Sequence, residues 1–445
     1  MKKLYIKTHG CQMNFYDSDR MTDLLKPLGY ELHNNGDDAD LIVINTCHIR
    51  EKAVEKTYSE LGRIRDQALL RKENTGKKTI IAVAGCVAQA EGKEIMRRSP
   101  WVDIVVGPQS FQNLPELIAK VDPIEKNKLI NIDFPIIPKF DDLKSDISER
   151  GPSAFLTIQE GCDKFCSFCV VPYTRGSEYS RPVKSILDEA KKLIDAGVKE
   201  ITLLGQNVNA WSANGIDNKV WGLGKLINEL AKIKELKFIR YMTSHPLDMD
   251  EELIEAHRDI EKLMPFLHLP VQSGSDNILK LMNRKHKVED YLKIIEKVRN
   301  HIPKIAISGD FIIGFPGETD KDHQKTIELI KEIEFSQAYS FKYSIRPGTP
   351  AAVFFDQVDE KAKNIRLQEV QNILREQQFE FNQKSINSNI KVLVLKSGKK
   401  DNQYLGRSPY NQSVFFNNDK ENLIGSIVNI KVSEAYQNSI SGHIA

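Results

Sequence analysis

The sequence predicts an α/β protein in three parts. These are an N-terminal open parallel α/β sheet, a central partial barrel of six β/α units, and a small all-β barrel at the C-terminus. Three observations carry the prediction. Short apolar runs alternate with helical patterns over residues 1–118 and again over 148–379, the mark of βαβ units and parallel sheets. Between them, residues 119–147 carry Pro123, Pro135 and Pro138 among many charges with no sustained period, which reads as a linker. Residues 380–445 break into short strands between Gly, Asn and Ser turns, as a small β-barrel does.

The elements follow in order. Leu4–Thr8 reads as a strand and Asp17–Leu28 as a helix. Leu41–Asn45 is nearly continuous in apolar residues, which suits a strand buried on both faces. A charged helix over Arg50–Gln67 comes next, then strands at Thr79–Ala84 and Ile104–Val106. In the central part the expected strands are Phe155–Ile158, Ile201–Leu204, Phe238–Met242, Phe266–Leu269, Ile307–Ile313 and Ala338–Tyr343. Helices are expected near Ser185–Ala196, Leu223–Ile233, Asp250–Ala256, Val288–Asn300 and Asp320–Ile333. Six β/α units fall short of the eight of a closed barrel and leave a side opening wide enough for a macromolecular substrate. Glu360–Gln383 is a long charged helix expected to close that barrel. The last strands are Ile390–Leu395, Tyr404–Gly406, Ser413–Phe416, Ile427–Val432 and Ile440–His443.

Composition narrows the class. An apolar fraction of 40% and a charged fraction of 28% over 445 residues are those of an ordinary globular protein. No run approaches the roughly 18 apolar residues a membrane span needs. Met1–His9 has basic residues but no apolar core, so no signal peptide and a cytoplasmic location are expected. In that compartment thiols stay reduced, and the six cysteines read as ligands rather than disulfides. The net charge of +2 announces no polyanionic partner, so any nucleic-acid binding must come from local patches.

Three cysteines lie in one run, Gly161-Cys162-Asp163-Lys164-Phe165-Cys166-Ser167-Phe168-Cys169. Soft thiolates suit iron–sulfur clusters. A cubane cluster normally takes four, so three leave one iron open, as an open position is left at catalytic zinc. A zinc knuckle and plain buried thiols are the competing readings. The spacing resembles that of the radical S-adenosylmethionine (SAM) superfamily, in which SAM chelates the open iron. The other three, Cys11, Cys47 and Cys86, each fall just past a predicted strand. In a parallel sheet those strand ends share one edge, where ligands bind. Residues distant in sequence can thus meet there and hold a second cluster with one free iron. Three unrelated buried cysteines are the bland alternative.

Other strand-end residues fit a SAM site. Gly205, Gln206 and Asn207 follow the second core strand and suit the methionine group. Thr243-Ser244-His245 follows the third, with Ser244 a hydroxyl for the ribose. Gly314, Gly317 and Glu318 end the fifth, where glycine permits close backbone approach to adenine. Phe168 is placed to shield the adenine face. Each also reads as ordinary turn chemistry. No catalytic residue beyond the cluster ligands is expected.

Basic groups suggest an RNA surface. The run Arg284-Lys285-His286-Lys287 follows the fourth core strand. In the C-terminal barrel Lys396, Lys399, Lys400, Arg407, Tyr410 and Phe416 form a mixed cationic and aromatic set, as oligonucleotide-binding barrels use. A third set is Arg63, Arg65, Arg71, Lys72, Lys77 and Lys78. The RNA contacts expected from these are Arg284, Lys285, Lys287, Lys399, Lys400 and Arg407. Phosphate contacts position a nucleic acid without specifying it.

Four stretches together resemble the radical SAM methylthiotransferases, over nearly the whole chain. They are Thr8-His9-Gly10-Cys11-Gln12-Met13-Asn14, Asn45-Thr46-Cys47-His48-Ile49-Arg50-Glu51-Lys52-Ala53, Gly161 through Gly176, and Leu269-Pro270-Val271-Gln272-Ser273-Gly274-Ser275. The C-terminal part resembles the TRAM domain these enzymes use on RNA. Val170-Val171-Pro172-Tyr173-Thr174-Arg175-Gly176 is similar to the tRNA-acting members. Ser167 and Ser177 depart from the family pattern, and little effect is expected of either. The resemblance implies two 4Fe-4S clusters, on Cys162, Cys166 and Cys169 and on Cys11, Cys47 and Cys86. It implies SAM as radical source and methyl donor, and a flavodoxin or ferredoxin as reductant. The implied reaction adds a methylthio group to carbon 2 of N6-(dimethylallyl)adenosine next to the anticodon of tRNA. Sister reactions act on a ribosomal-protein aspartate or on threonylcarbamoyladenosine in tRNA.

Overall fold

A computed structural model describes every residue except 49–52, 122–127, 136–138, 143–146, 148–149 and 420–421. It divides into two compact units. The first is 1–148 with 160–162 and 170–178; the second is 149–159, 163–169 and 179–445.

The first unit is built on six parallel strands. Their order across the sheet is Tyr30–Leu32, Lys2–Thr8, Leu41–Thr46, Ile80–Gly85, Ile104–Val106 and Leu129–Asn131. Leu41–Thr46 is buried at every position, as its unbroken apolar run predicts. Its side chains alternate between two cores. Leu41 and Val43 pack with Leu4, Met21, Leu25 and Phe111 on one face. Ile42 and Ile44 pack with Leu61, Ile64 and Val105 on the other. Each such buried aliphatic side chain stabilises the fold by roughly 1.5–3 kcal/mol.

Two strands of this sheet escape the sequence reading. Tyr30–Leu32 and Leu129–Asn131 are three residues each, too short to display a period. The second lies in the stretch read as linker and pairs with Ile104–Val106. The first helix runs Gln12–Leu25, earlier than the expected Asp17–Leu28. Past it, Lys26–Leu28 is a 3₁₀ turn around Pro27, closed by Gly29 at φ +80°. The next helix is described over Ala53–Thr75 and outlasts the expected Gln67; the expected residues Arg50 to Lys52 lie outside the described ones.

The second unit carries six parallel strands in chain order, in two sheets of three. Ser153–Thr157, Glu200–Leu204 and Phe238–Met242 form one. Phe266–His268, Ala306–Ile313 and Gln337–Lys342 form the other. The sheets are linked where Ser244 N donates to His268 O at 3.4 Å and Ile239 bridges Leu263. The helix Glu360–Gln383 falls where the sequence predicts. It packs on the last repeat, with Gln377 accepting from Phe335 N at 3.0 Å and donating to Ile330 O at 2.8 Å.

Residues Asn389–Ser397, Gln403–Arg407, Ser413–Asn417, Ile427–Tyr436 and Ser439–Ile444 form a closed five-stranded barrel. Val392, Val394, Val414, Phe416, Ile430, Val432 and Ile440 fill it. One buried carboxylate fastens it to the core strands. Glu200 accepts from Arg240 Nε at 2.7 Å, Arg407 Nη1 at 2.6 Å and Ser153 Oγ at 2.9 Å. Burial alone would raise the Glu200 pKa; the two guanidinium groups outweigh it and hold the carboxyl below its ordinary range.

Candidate functional site

The first unit gathers three thiols on one rim. Lys2–Thr8, Leu41–Thr46 and Ile80–Gly85 are neighbours in the sheet, and Cys11, Cys47 and Cys86 follow their carboxyl ends. The backbone comes very close there. Gly10 has φ +118°, and a Cβ on it would lie 2.1 Å from Cys47 Cβ. Gly85 has φ +88°, and its Cβ would lie 2.4 Å from Thr46 O. Only glycine fits either position. Asn45 braces the rim from below, donating to Asn14 O at 2.8 Å and Ser18 Oγ at 2.9 Å.

The rim treats its thiols unequally. A hydrogen bond from Cys47 lowers the Cys11 pKa to about 6, with the Arg175 charge helping against burial. Burial pushes Cys86 up, and Arg175 opposes this by charge and a hydrogen bond. Arg175 itself belongs to a buried quartet. It donates to Glu160 Oε1 at 2.6 Å and Asp17 Oδ2 at 2.7 Å. Lys139 Nζ completes the set, 2.7 Å from Glu160 Oε1 and 3.2 Å from Asp17 Oδ1. Burial disfavours charge on Arg175, yet Asp17, Cys86 and Glu160 together hold it protonated well above its ordinary value. Nothing in local spacing shows that Asp17, Lys139, Glu160 and Arg175 meet, so the sequence does not mark them as site residues.

In the second unit the cysteine loop is held by a segment far along the chain. Ser167 N donates to Met282 O at 3.0 Å, and Ser167 Oγ to Leu281 O at 2.8 Å. Asn283 Nδ2 donates to Phe165 O at 2.8 Å. Cys169 N closes a turn on Cys166 O at 2.9 Å, and Phe165 takes φ +50°. Ser167, a departure from the family pattern, thus has a structural task. Cys162 lies at the edge of this loop and is counted with the first unit, where its N–H reaches Gly176 O at 3.3 Å.

The strand-end residues are placed as follows. Gln206 N and Asn207 N both donate to Gln159 Oε1, at 2.9 and 3.1 Å. A Cβ on Gly205 would come within 2.6 Å of that same oxygen. Asn207 Nδ2 donates to Asp248 Oδ2 at 2.8 Å, and Lys164 pairs with Asp248 at 2.7 Å. Asn207 Oδ1, Ser244 Oγ and His245 Nε2 are buried without a protein partner. His245 Nδ1 accepts from Leu247 N at 3.2 Å, so the proton of the neutral ring sits on the unpartnered Nε2. Burial, and then the Arg284 charge, push His245 down to about 2. Phe168 packs edge-on against Phe315 with centroids 6.5 Å apart. Glu318 Oε1 accepts from Gly314 N at 3.0 Å and Arg366 Nη1 at 2.9 Å. A Cβ on Gly314 would strike Lys363 at 2.3 Å, and Gly317 takes φ +83°. Gly314, Gly317 and Glu318 therefore shape the turn after the fifth core strand.

The basic residues separate into two kinds. Lys285, Lys287, Lys399 and Lys400 are exposed. Arg284 is buried, 5% exposed, with Nη1 3.7 Å from Cys166 Sγ and Nη2 on Pro270 O. Arg407 is engaged with Glu200. Phe416, read from sequence as part of an RNA surface, is 2% exposed and stacks on Tyr404 inside the barrel, so it cannot receive a base. Arg71 from the N-terminal set is likewise buried and paired with Asp40. In both cases the alternation of a strand or the covering of a sheet end, invisible in composition, turned the side chain inward.

Soft, reduced thiols beside buried cations and amide donors suit a thiolate-ligated iron–sulfur cluster in both places. Among the described residues, no three His, Cys, Asp or Glu side chains close on a single metal ion. A cubane takes its thiolates at separate irons, and separated thiols on a rim or loop match that demand. The class defined is an iron–sulfur enzyme on a parallel β/α scaffold.

Comparison with known proteins narrows the class. Residues 156–330 match the radical SAM superfamily, 3–107 the uncharacterized protein family UPF0004, and 383–445 the TRAM domain. The chain is 55% identical to a tRNA-2-methylthio-N(6)-dimethylallyladenosine synthase of Rickettsia felis, covering 100% of this chain and 99% of the relative. It is 56% identical to the protein of that name from a Wolbachia of Brugia malayi, covering 99% of each. Among solved structures, the radical SAM methyltransferase TsrM of Kitasatospora setae has a TM-score of 0.59 at 14% identity, over 79% of this chain and 75% of that one. That likeness concerns the fold. The chain belongs to the radical SAM tRNA methylthiotransferase family.

Proposed function

We propose that this enzyme adds a methylthio group to carbon 2 of N6-(dimethylallyl)adenosine next to the anticodon of tRNA. The rim of Cys11, Cys47 and Cys86 carries the reading, in a chain that matches synthases named for that nucleoside from end to end. One 4Fe-4S cluster is assigned to Cys162, Cys166 and Cys169, the other to Cys11, Cys47 and Cys86. When bound, the two clusters and SAM supply the electron, the carbon radical, the sulfur and the methyl group of the reaction.

The chain's own residues do the rest. Cys11 is ready as thiolate near neutral pH, and Arg175 places a fixed positive charge beside the rim. Asn207 Oδ1 and Ser244 Oγ, buried and unpartnered, are assigned to SAM, with Gln206 and Gly205 shaping that wall; Phe168, packed on Phe315, is assigned to the adenine face. Gly314, Gly317 and Glu318 hold the far turn. Lys285, Lys287, Lys399 and Lys400 are exposed and are assigned to RNA phosphates, which orient the substrate without reading it. The adenine must be splayed from its loop to reach the chemistry. No helix among the described residues is long and apolar enough to cross a membrane. A cytoplasmic location and a flavodoxin- or ferredoxin-type electron donor complete the reading.

An anaerobic assay tests it. Reconstituted protein, SAM and dithionite are incubated with tRNA bearing the prenylated adenosine, and digested nucleosides are read by mass spectrometry. The expected result is the methylthio nucleoside together with 5′-deoxyadenosine. 5′-Deoxyadenosine over unchanged tRNA would overturn the substrate assignment in favour of a ribosomal-protein aspartate or threonylcarbamoyladenosine.

A further inference from the structure

Arg284 is buried in an unusual way. Its side chain contacts a backbone carbonyl, Pro270 O, and a thiol, Cys166 Sγ, while its Nε has no partner. No carboxylate forms an ion pair with it among the described residues, although Lys164 nearby is paired with Asp248. Burying a guanidinium against neutral groups alone is costly. The arrangement makes physical sense if the sulfur it faces carries negative charge in the working enzyme.

The backbone around Arg284 is shaped to deliver it. The helix Asp276–Leu281 ends in a turn with Asn283 and Lys285 both at φ +58°. Arg284 N bonds Leu279 O at 2.9 Å, which fixes the start of its side chain. The preceding residues grip the cysteine loop through Leu281 O, Met282 O and Asn283 Nδ2. A segment more than 110 residues downstream therefore sets the loop and aims one cation at its middle cysteine.

We propose that Arg284 is a positioning residue of this loop, whose N–H···S bond and charge raise the reduction potential of the cluster on Cys162, Cys166 and Cys169. The proposal rests on the assignment of that cluster to those cysteines. One-electron reduction adds negative charge to the cluster and its thiolates. A donor to a ligating sulfur stabilises the reduced form more than the oxidised one. The electron comes from an external low-potential reductant, so Arg284 sets how strong that reductant must be. It assigns to Arg284 a role other than holding RNA phosphate.

The test is an electron paramagnetic resonance redox titration of the full chain. Cys11, Cys47 and Cys86 are replaced by Ala so that a single cluster titrates, and iron is counted in every sample. In Arg284→Gln the midpoint moves to more negative potential, with full iron. A tenfold drop in the reduced-to-oxidised ratio at fixed potential corresponds to about 59 mV for one electron. Arg284→Lys shifts less in the same direction. Asn283→Ala, which removes a grip on Phe165 O but no charge, leaves the midpoint in place. An unchanged midpoint in Arg284→Gln overturns the proposal, as does an equal shift in Asn283→Ala. Should the Gln variant fail to load iron, an unmoved midpoint in Arg284→Lys overturns it instead. Cys166→Ala with unaltered iron and signal would sink the cluster assignment itself, which is a separate result.

Discussion

The rim of Cys11, Cys47 and Cys86 and the loop of Cys162, Cys166 and Cys169 present the same three donors in opposite ways. The loop is local: its spacing alone announces it, and the distant segment Leu281–Arg284 supports it, with further ties to Asp248 and Ala351. The rim is assembled from three strands, and no stretch of sequence shows it whole. Support differs too. Beside the rim the chain buries full charges in a closed set of two cations and two carboxylates. The second unit buries charge as well, at Glu200 with Arg240, but adds neutral imidazoles at His245, His257 and His286, all pushed down by desolvation first.

The largest expected effect breaks the comparison into its halves. Cys162→Ala abolishes reductive cleavage of SAM. Cys47→Ala keeps some uncoupled cleavage, read as 5′-deoxyadenosine, while the methylthio nucleoside disappears. Normal methylthio yield from Cys47→Ala would remove the rim from the mechanism.

Breaking the charge quartet comes next. Lys139→Met leaves Asp17 and Glu160 sharing only Arg175 in a site that water does not reach. Removing one partner of a buried ion pair costs about 3–5 kcal/mol. The denaturation midpoint of the first unit should fall accordingly, with the transition of the second unit unmoved. A loss below about 1 kcal/mol would mean that the quartet relaxes or hydrates.

Acid sharpens the contrast from the other side. His257 is fully enclosed and bonded to the Tyr241 hydroxyl at 2.7 Å, and burial lowers its pKa from 6.5 to about 4. Unfolding lets it take up a proton below pH 6.5. Its contribution is therefore intact above that pH and is lost as pH falls towards 4, on the order of 3 kcal/mol in all. Denaturant midpoints of the second unit between pH 7 and 4.5 should decline, and less steeply in His257→Asn. Parallel slopes in the two proteins would refute the assignment.

The smallest effect concerns the loop. Ser167→Ala leaves Leu281 O without its hydroxyl donor. The expected cost is about 1 kcal/mol, measured as a small drop in melting temperature with SAM cleavage retained.

Much of this was legible beforehand for reasons that can be named. The strand Leu41–Thr46 announces its burial by an unbroken apolar run, and the helix Glu360–Gln383 has a charged pattern long enough to read. The shared rim followed from a rule about parallel sheets, that strand ends of one sense lie along one edge. Illegible elements were short or non-local. Three-residue strands show no alternation, and Leu129–Asn131 sits among prolines and charges that read as linker. Arg284 and Arg407 looked like surface cations because charge in a sequence does not reveal burial.

The sequence by itself determined the order of elements and the thiols at strand ends. These depend on local backbone preference and side-chain period, which act over a few residues. Tertiary structure alone decided which charges are paired in the dark, which aromatic rings are core, and which cation meets Cys166. Those outcomes depend on non-local contacts, more than a hundred positions apart for Asp17 with Arg175 and for Cys166 with Arg284. The physical reason is that burial makes an unpaired charge costly, so a buried charge is tolerated only where the tertiary structure brings compensating groups to it.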